Sequence, residues 1–255
     1  MVDTVPFLIL ENGLGAKMGS EDLFKKRRGP KTSKDLARKE ATKAPLMKIL
    51  IACEGEKTEP TYFEDLISHF GLLTASVIDV TGESGSSPMC VVKHAKKKQE
   101  DMAAQGAPYD KIYIVIDKDA HVDYLRALDA IKRAKPNKVW FTVNSVPCFE
   151  FWLLLHYTYS TKEYRGLPGK SAGDQVVSEL KKYIKGYDKA AKGIFYKTFN
   201  SLKTKDLNEV ITKAKQSLRA AESSGTDNPS TKVHELIETL MELKEQININ
   251  KGKKR

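Results

Sequence analysis

The sequence predicts an α/β protein: a parallel sheet flanked by helices, followed by a helical C-terminal subdomain and preceded by a basic N-terminal arm. Three observations carry this prediction. Short apolar runs alternate with segments of helical periodicity between residues 48 and 157. The runs are apolar at consecutive positions rather than at every second one, as strands covered on both faces require. Beyond residue 160 only helical periodicity remains, so strand-and-helix alternation is confined to one stretch of chain.

The elements follow in order. Lys48 to Cys53 is an apolar run ending at Glu54, and Pro60 opens a helix with Tyr62, Phe63, Leu66, Ile67 and Phe70 on one face. "ASVIDVTG" reads as a second strand, Ser87 to Ala104 as a helix, "KIYIVI" (111 to 116) as a third strand and Val122 to Ala134 as a helix. "KVWFTV" (138 to 143) is the fourth strand and leads through Pro147 into an aromatic helix, "CFEFWLLLHY". The C-terminal portion carries helical patterns at Val176 to Ile184, Leu207 to Ala221 and Lys232 to Leu243. The boundaries expected are an arm over 1–45, an α/β domain over 46–158, a helical subdomain over 159–248 and a basic tail over 249–255.

At 255 residues and 40% apolar content the chain can bury a sizeable core. No apolar stretch is long enough for a membrane span and none follows a basic n-region, so no membrane partner and a cytoplasmic location are expected. Three scattered cysteines, Cys53, Cys90 and Cys148, form no CxxC pair and are expected to be reduced and buried. The net charge of +10 is concentrated: residues 25–45 hold nine Lys or Arg against two acids. Lys25, Lys26, Arg27, Arg28 and Lys31 begin that run, and so dense a basic segment points to nucleic-acid phosphates rather than to solubility alone.

The chemistry lies at the strand ends. In an open parallel sheet, ligands bind in the crevice outside the carboxyl ends of the strands. "ILIACE" and "IYIVID" both finish an apolar strand on an acid, Glu54 and Asp117, and Asp119 follows two residues later. If those strands are neighbours, Glu54, Asp117 and Asp119 converge, and such a cluster of like charges calls for a hard cation, Mg²⁺ or Mn²⁺. Glu59 and Glu150 sit at helix starts on the same edge; each reads equally as a further metal ligand or as a helix-dipole partner. Lys57 and Lys118 are candidates for stabilising charge on a phosphate, against the plainer reading of solvated lysines.

The loop "TGESGSSP" (81 to 88) can present backbone N–H groups, with Ser86 and Ser87, to a phosphate, or be a plain connection. Neither it nor "GLPGKS" has the P-loop form. "DKDAH" departs from the DxDx[T/V] pattern of HAD-type phosphatases. His156, among Phe149, Trp152 and Leu153, reads as a core histidine rather than a catalytic base. At "TDNPSTKV" (226 to 233), helix capping is favoured over phosphate contact.

"CEGEKTEPTYF", "VIDKD", "NSVPCFEFWLLLH" and "NPSTKVHEL" occur in that order, and together they resemble the RloB family, related to the abortive-infection protein AbiLii, over roughly residues 46 to 240. The resemblance implies a Toprim fold, whose signature is a glutamate after one strand and DxD after another. It makes Glu54 the Toprim glutamate and Asp117 and Asp119 the DxD pair. Glu59 stands one residue further on than in the related EGxxE pattern, and Glu150 aligns more loosely. The implied activity is metal-dependent hydrolysis of DNA or RNA in bacterial anti-phage defence, working with an ATPase partner and with Glu54 as the proton-transfer residue. The alternative is a Toprim-fold subunit that binds or senses nucleic acid without cutting and regulates that ATPase.

Overall fold

The computed structural model describes residues 47–72, 77–82, 85, 87–118 and 122–252. The predicted basic arm, Ser86 and Asp119 lie outside them. The described residues belong to one compact unit, Leu46–Arg255.

The strands are β1 (Lys48–Cys53), β2 (Val77–Thr81), β3 (Lys111–Asp117), β4 (Trp140–Val146) and β5 (Ser230–Thr231). The helices are α1 (Thr58–Phe70), α2 (Pro88–Ala104), α3 (Tyr124–Lys132), α4 (Glu150–Leu155), α5 (Ala172–Leu180), α6 (Ile194–Ser201), α7 (Asn208–Ser223) and α8 (Val233–Gly252). The strands form one sheet in the order β2-β1-β3-β4-β5. The first four are parallel, and β5 runs antiparallel to β4. Among the described residues, no helix is long and apolar enough to cross a membrane.

Side-chain alternation sorts the strand residues between two cores. Ile49, Ile51, Cys53, Tyr113 and Val115 face a large core with α1, α4 and the helices from α5 onward. Leu50, Ala52, Ile112, Ile114 and Ile116 face a smaller one, with Val91, Val92 and Ala95 of α2 and Ala127 and Ile131 of α3. At the centre of the large core the Trp152 indole N–H donates to the Tyr62 hydroxyl at 2.9 Å. The Phe149 and Phe195 rings meet Tyr62 edge-on at 5.5 Å.

Three features depart from the sequence expectation. The C-terminal portion contributes a strand: Ser230 and Thr231 pair with Val146 and Ser145, too short a run to leave a periodic trace. The α6 helix was not anticipated, and its buried residues, Ile194, Phe195 and Thr198, lie one, three or four apart, within little more than a turn. The α5 helix starts at Ala172, earlier than the expected Val176, because Ser171 and Asp174 form a reciprocal capping box. Thr231 also contributes at the next helix start, its hydroxyl accepting from the Val233 N–H at 3.3 Å.

Candidate functional site

The strand order decides where a site can form. The chain leaves β1 for β2 on one side and returns to β3 on the other, so the direction of winding reverses between β1 and β3. In an open parallel sheet the ligand crevice lies at that reversal, outside the carboxyl ends of the strands. Glu54 follows β1, and Asp117 is the last residue of β3. The two strands pair directly, with Cys53 opposite Val115. The Glu54 N–H donates to the Val115 carbonyl at 3.0 Å, and the Asp117 N–H donates to Glu54 Oε2 at 3.1 Å.

Two more carboxylates come from helix starts. Glu59, in the first turn of α1, is 7% exposed, and Glu150, which opens α4, is 2% exposed. Room for Glu59 comes from Gly55, where a Cβ would overlap the Glu59 carboxylate. Gly82, after β2, is equally confined: a Cβ there would lie 2.6 Å from the Gly55 carbonyl oxygen and from Pro60 Cγ. The glycines therefore let the chain close tightly around the acids.

The electrostatics join these groups. Burial raises the Asp117 pKa well above the usual carboxylate range, and the charges of Glu59, Glu150 and Glu54 raise it further, against a lowering contribution from the Phe149 backbone N–H. Glu59 is pushed up to about 7, first by burial and then by Glu150 and Glu54, while its own backbone N–H and Lys189 oppose the rise. Cys148 is buried against the cluster, its thiol held well above its ordinary pKa by burial and by Glu150 and Asp117. A nearby positive charge or a retained proton relieves stacked penalties on carboxylate ionisation of this kind.

One intrinsic cation is already there. Lys189 Nζ lies 3.3 Å from Glu150 Oε1, and the Tyr187 hydroxyl donates to the same oxygen at 3.1 Å. The Thr58 hydroxyl holds the Lys189 carbonyl at 2.6 Å, tying this loop to the start of α1. Burial lowers the Lys189 pKa, but Glu150, Cys148 and Asp117 outweigh it and the net shift is upward. Neither residue was a candidate from the sequence. The available signal was the stretch "GYDKAAKG", bracketed by Gly186 and Gly193, both with positive φ. A lysine-rich loop between two glycines carries no periodicity, so only its contacts in the fold tie it to the acids.

The other sequence candidates separate from this group. The Lys118 ammonium pairs with Asp227, in the loop before β5, and the Lys118 backbone N–H donates to the Ser145 carbonyl at 2.8 Å. Lys57 is exposed and lines an open cleft of about 790 Å³ with Glu56, Glu64 and Lys98. The Ser87 hydroxyl donates to Asp123 Oδ2 at 2.9 Å, and Asp123 also accepts from the Met89 N–H at 3.4 Å; Ser87 thus joins two loops of the carboxyl edge. Lys25, Lys26, Arg27, Arg28, Lys31, Ser86 and Asp119 lie outside the described residues. Among the described residues, no three His, Cys, Asp or Glu side chains form a group that could hold a metal ion.

His156 is a core residue: Nδ1 lies 3.1 Å from the Trp152 carbonyl, Nε2 has no hydrogen-bond partner among the described residues, and burial lowers its pKa to about 4. Of the cysteines, Cys53 and Cys148 are buried as expected, but Cys90 is exposed on α2. It occupies a solvent-facing position of that helix, whose buried residues include Pro88, Val91, Val92 and Ala95.

Fold and site define the class: a wound α/β protein with four carboxylates gathered around the reversal point of a parallel sheet. The family model for RloB-like protein matches residues 49–240, and the chain belongs to that family. No curated protein and no solved structure gives a match.

Proposed function

We propose that this chain is a divalent-cation-dependent nuclease of Toprim type, hydrolysing phosphodiester bonds of nucleic acid in anti-phage defence beside an ATPase. The observation that carries the reading is the contact of Glu54 with the Asp117 backbone at the β1/β3 reversal, with the buried Glu59 and Glu150 near enough to raise the Asp117 pKa. The donor chemistry fits a hard cation, because the candidate donors are carboxylate oxygens and Lys189 offsets only part of their charge. Glu54 and Asp117 would hold Mg²⁺ or Mn²⁺ together with Asp119, and Glu59 and Glu150 are the further carboxylates within electrostatic reach. When bound, the ion supplies Lewis-acid activation of water and offsets charge growing on phosphoryl oxygens.

The chain's own residues do the rest. Glu54, fixed by the Asp117 N–H, takes the proton of the attacking water at its carboxylate. Lys189 is the cation assigned to meet a phosphate oxygen, because its partner Glu150 belongs to the carboxylate cluster, whereas Lys118 pairs with Asp227 in the loop before β5. Gly55 and Gly82 keep the chain packed closely around Glu59, which holds that carboxylate at the site. A second reading is favoured by that same Lys189 contact, which already supplies a counter-charge: a subunit that binds nucleic acid without cutting and serves the ATPase.

Incubating the purified chain with plasmid, single-stranded DNA and tRNA, with Mg²⁺, Mn²⁺ or EDTA, separates the two. The nuclease reading expects cleavage with metal and none in EDTA. A chain inert toward every substrate, with and without the neighbouring ATPase, would overturn it in favour of the binding subunit.

A further inference from the structure

Residues 181–205 hold eight lysines and a single acid, Asp188, a density of charge matched elsewhere only by the arm. All eight lysines are exposed. Among the described residues, Lys181, Lys182, Lys185, Lys192, Lys197 and Lys203 pair with no carboxylate, whereas on α7 Lys213 pairs with Glu209 and Lys215 with Glu238 of α8. A run of uncompensated lysines raises the local potential and so favours a polyanion.

The segment is anchored at the acids and leads away from them. Its Tyr187 and Lys189 contact Glu150, and Thr58 fixes the Lys189 carbonyl. From there α6 follows α1 away from the site. Phe195 packs on Tyr62 at 5.5 Å and on His69 at 5.4 Å, and Phe199 packs on His69 at 4.7 Å. Aromatic rings are set among the lysines. Tyr183, 46% exposed, stacks on Tyr157 with centroids 5.2 Å apart and an interplanar angle of 21°. Tyr196, 38% exposed, sits on α6 next to Lys197 in the chain, its ring edge-on to His69 and Phe195 and its hydroxyl donating to the Asp65 carbonyl at 3.5 Å, with the remainder of the ring open to solvent.

We propose that residues 181–205 form the track along which single-stranded nucleic acid is led to the carboxylate cluster. This rests on the nucleic-acid reading given above and adds to it the strandedness of the substrate and the surface that holds it. Four carboxylates repel a phosphate backbone, and a basic rim beginning at Lys189 offsets that repulsion where the backbone must enter. Lysines that follow the backbone, interleaved with aromatic faces on which bases stack, are the means by which proteins hold single strands. The stacking component selects single strands, because bases in a duplex are already stacked on each other and present no free face to Tyr183 or Tyr196.

The test is fluorescence anisotropy of a labelled single-stranded 20-mer and its duplex, titrated with the full chain in EDTA at several salt concentrations. The variant Lys182→Ala/Lys185→Ala/Lys192→Ala/Lys197→Ala changes exposed residues only. It should flatten the dependence of log K on log salt by about 3 units if all four lysines meet phosphates, and lower affinity near 0.1 M salt by about two orders of magnitude. Tyr196→Ala should weaken the single strand about fivefold or more, with the salt slope and the duplex unaffected. Lys93→Ala/Lys97→Ala, on α2, should change neither. A quadruple variant with the wild-type slope and affinity, or an α2 variant that loses as much, overturns the track. Tight binding that depends on the track but is never followed by cleavage leaves it standing and removes the nuclease reading; absence of binding to either probe removes both.

Discussion

One face of the sheet is covered by α2 and α3, each belonging to a crossover between strands and meeting Leu50, Ala52, Ile112, Ile114 and Ile116. The other is covered by α1, α4 and helices drawn from the C-terminal half, down to Leu236, Ile237 and Leu240 of α8. The acids and their partners come from this second face: Glu59 from α1, Glu150 from α4, Tyr187 and Lys189 from the loop before α6. The first face closes a core with local chain, and the second closes a core and furnishes a site with distant chain. Perturbing the second should therefore disturb both stability and cation binding, whereas perturbing the first should disturb stability alone.

The sharpest break of that comparison is Trp152→Ala. It removes a fully buried indole and the donor to Tyr62, three residues beyond Glu59, so it should cost about 3–5 kcal/mol and weaken cation binding. On the other face, Ile131→Ala should cost about 2–4 kcal/mol and leave cation affinity in the folded protein unchanged. Chemical denaturation and calorimetric titration of both variants make the comparison. Equal losses of cation affinity would show that the faces are not distinct in this respect.

Next in size are Glu54→Gln and Asp117→Asn. Each should lower cleavage by about two to three orders of magnitude, the loss of a few kcal/mol of charge stabilisation, with the unfolding midpoint held or raised because a carboxylate repulsion is removed. Cleavage rates and thermal melts of the same preparations check both parts; unfolded variants would make these acids structural.

The pH dependence follows from Glu59. Its folded pKa, about 7, lies above its ordinary 4.5, so between those values the folded chain keeps a proton that the unfolded chain releases. Stability in EDTA should fall as pH rises from about 4.5 to 7, by about 3 kcal/mol at most, and level off above that. Asp117, also raised, acts in the same direction. Glu59→Gln should flatten the slope in urea titrations at pH 5, 6 and 7.5; a wild type that gains stability across this window contradicts the buried cluster.

The smallest effect belongs to Lys189→Met. Glu150 would keep the Tyr187 hydroxyl but lose its ammonium. A cost of about 1–2 kcal/mol in EDTA is expected, and Mg²⁺ should raise the melting temperature of this variant more than that of the wild type. An equal rise would mean that Lys189 and the ion do not answer the same charge.

The sequence made the first face and the parallel strands legible because their pattern is local. "ILIACE" and "IYIVID" show an apolar run and its terminal acid within six residues, and the two strands that these acids finish do pair with each other. The same logic could not reach Tyr187 and Lys189. Tyr187 is 37 residues from Glu150 and Lys189 is 131 from Thr58, and a loop between two glycines carries no period to interpret. Lys118 looked available beside Asp117, but its partner Asp227 is 109 residues away. β5 escaped notice because two residues cannot display alternation.

The central claim is that the acids at the β1/β3 reversal hold a divalent cation, and calorimetric titration of Mn²⁺ and Mg²⁺ into the full chain and its Asp117→Asn variant tests it most directly. The account predicts saturable binding by the wild type and at least tenfold weaker binding by Asp117→Asn, with both proteins folded. A wild type that takes up neither ion, or a variant that binds as tightly as the wild type, would contradict it.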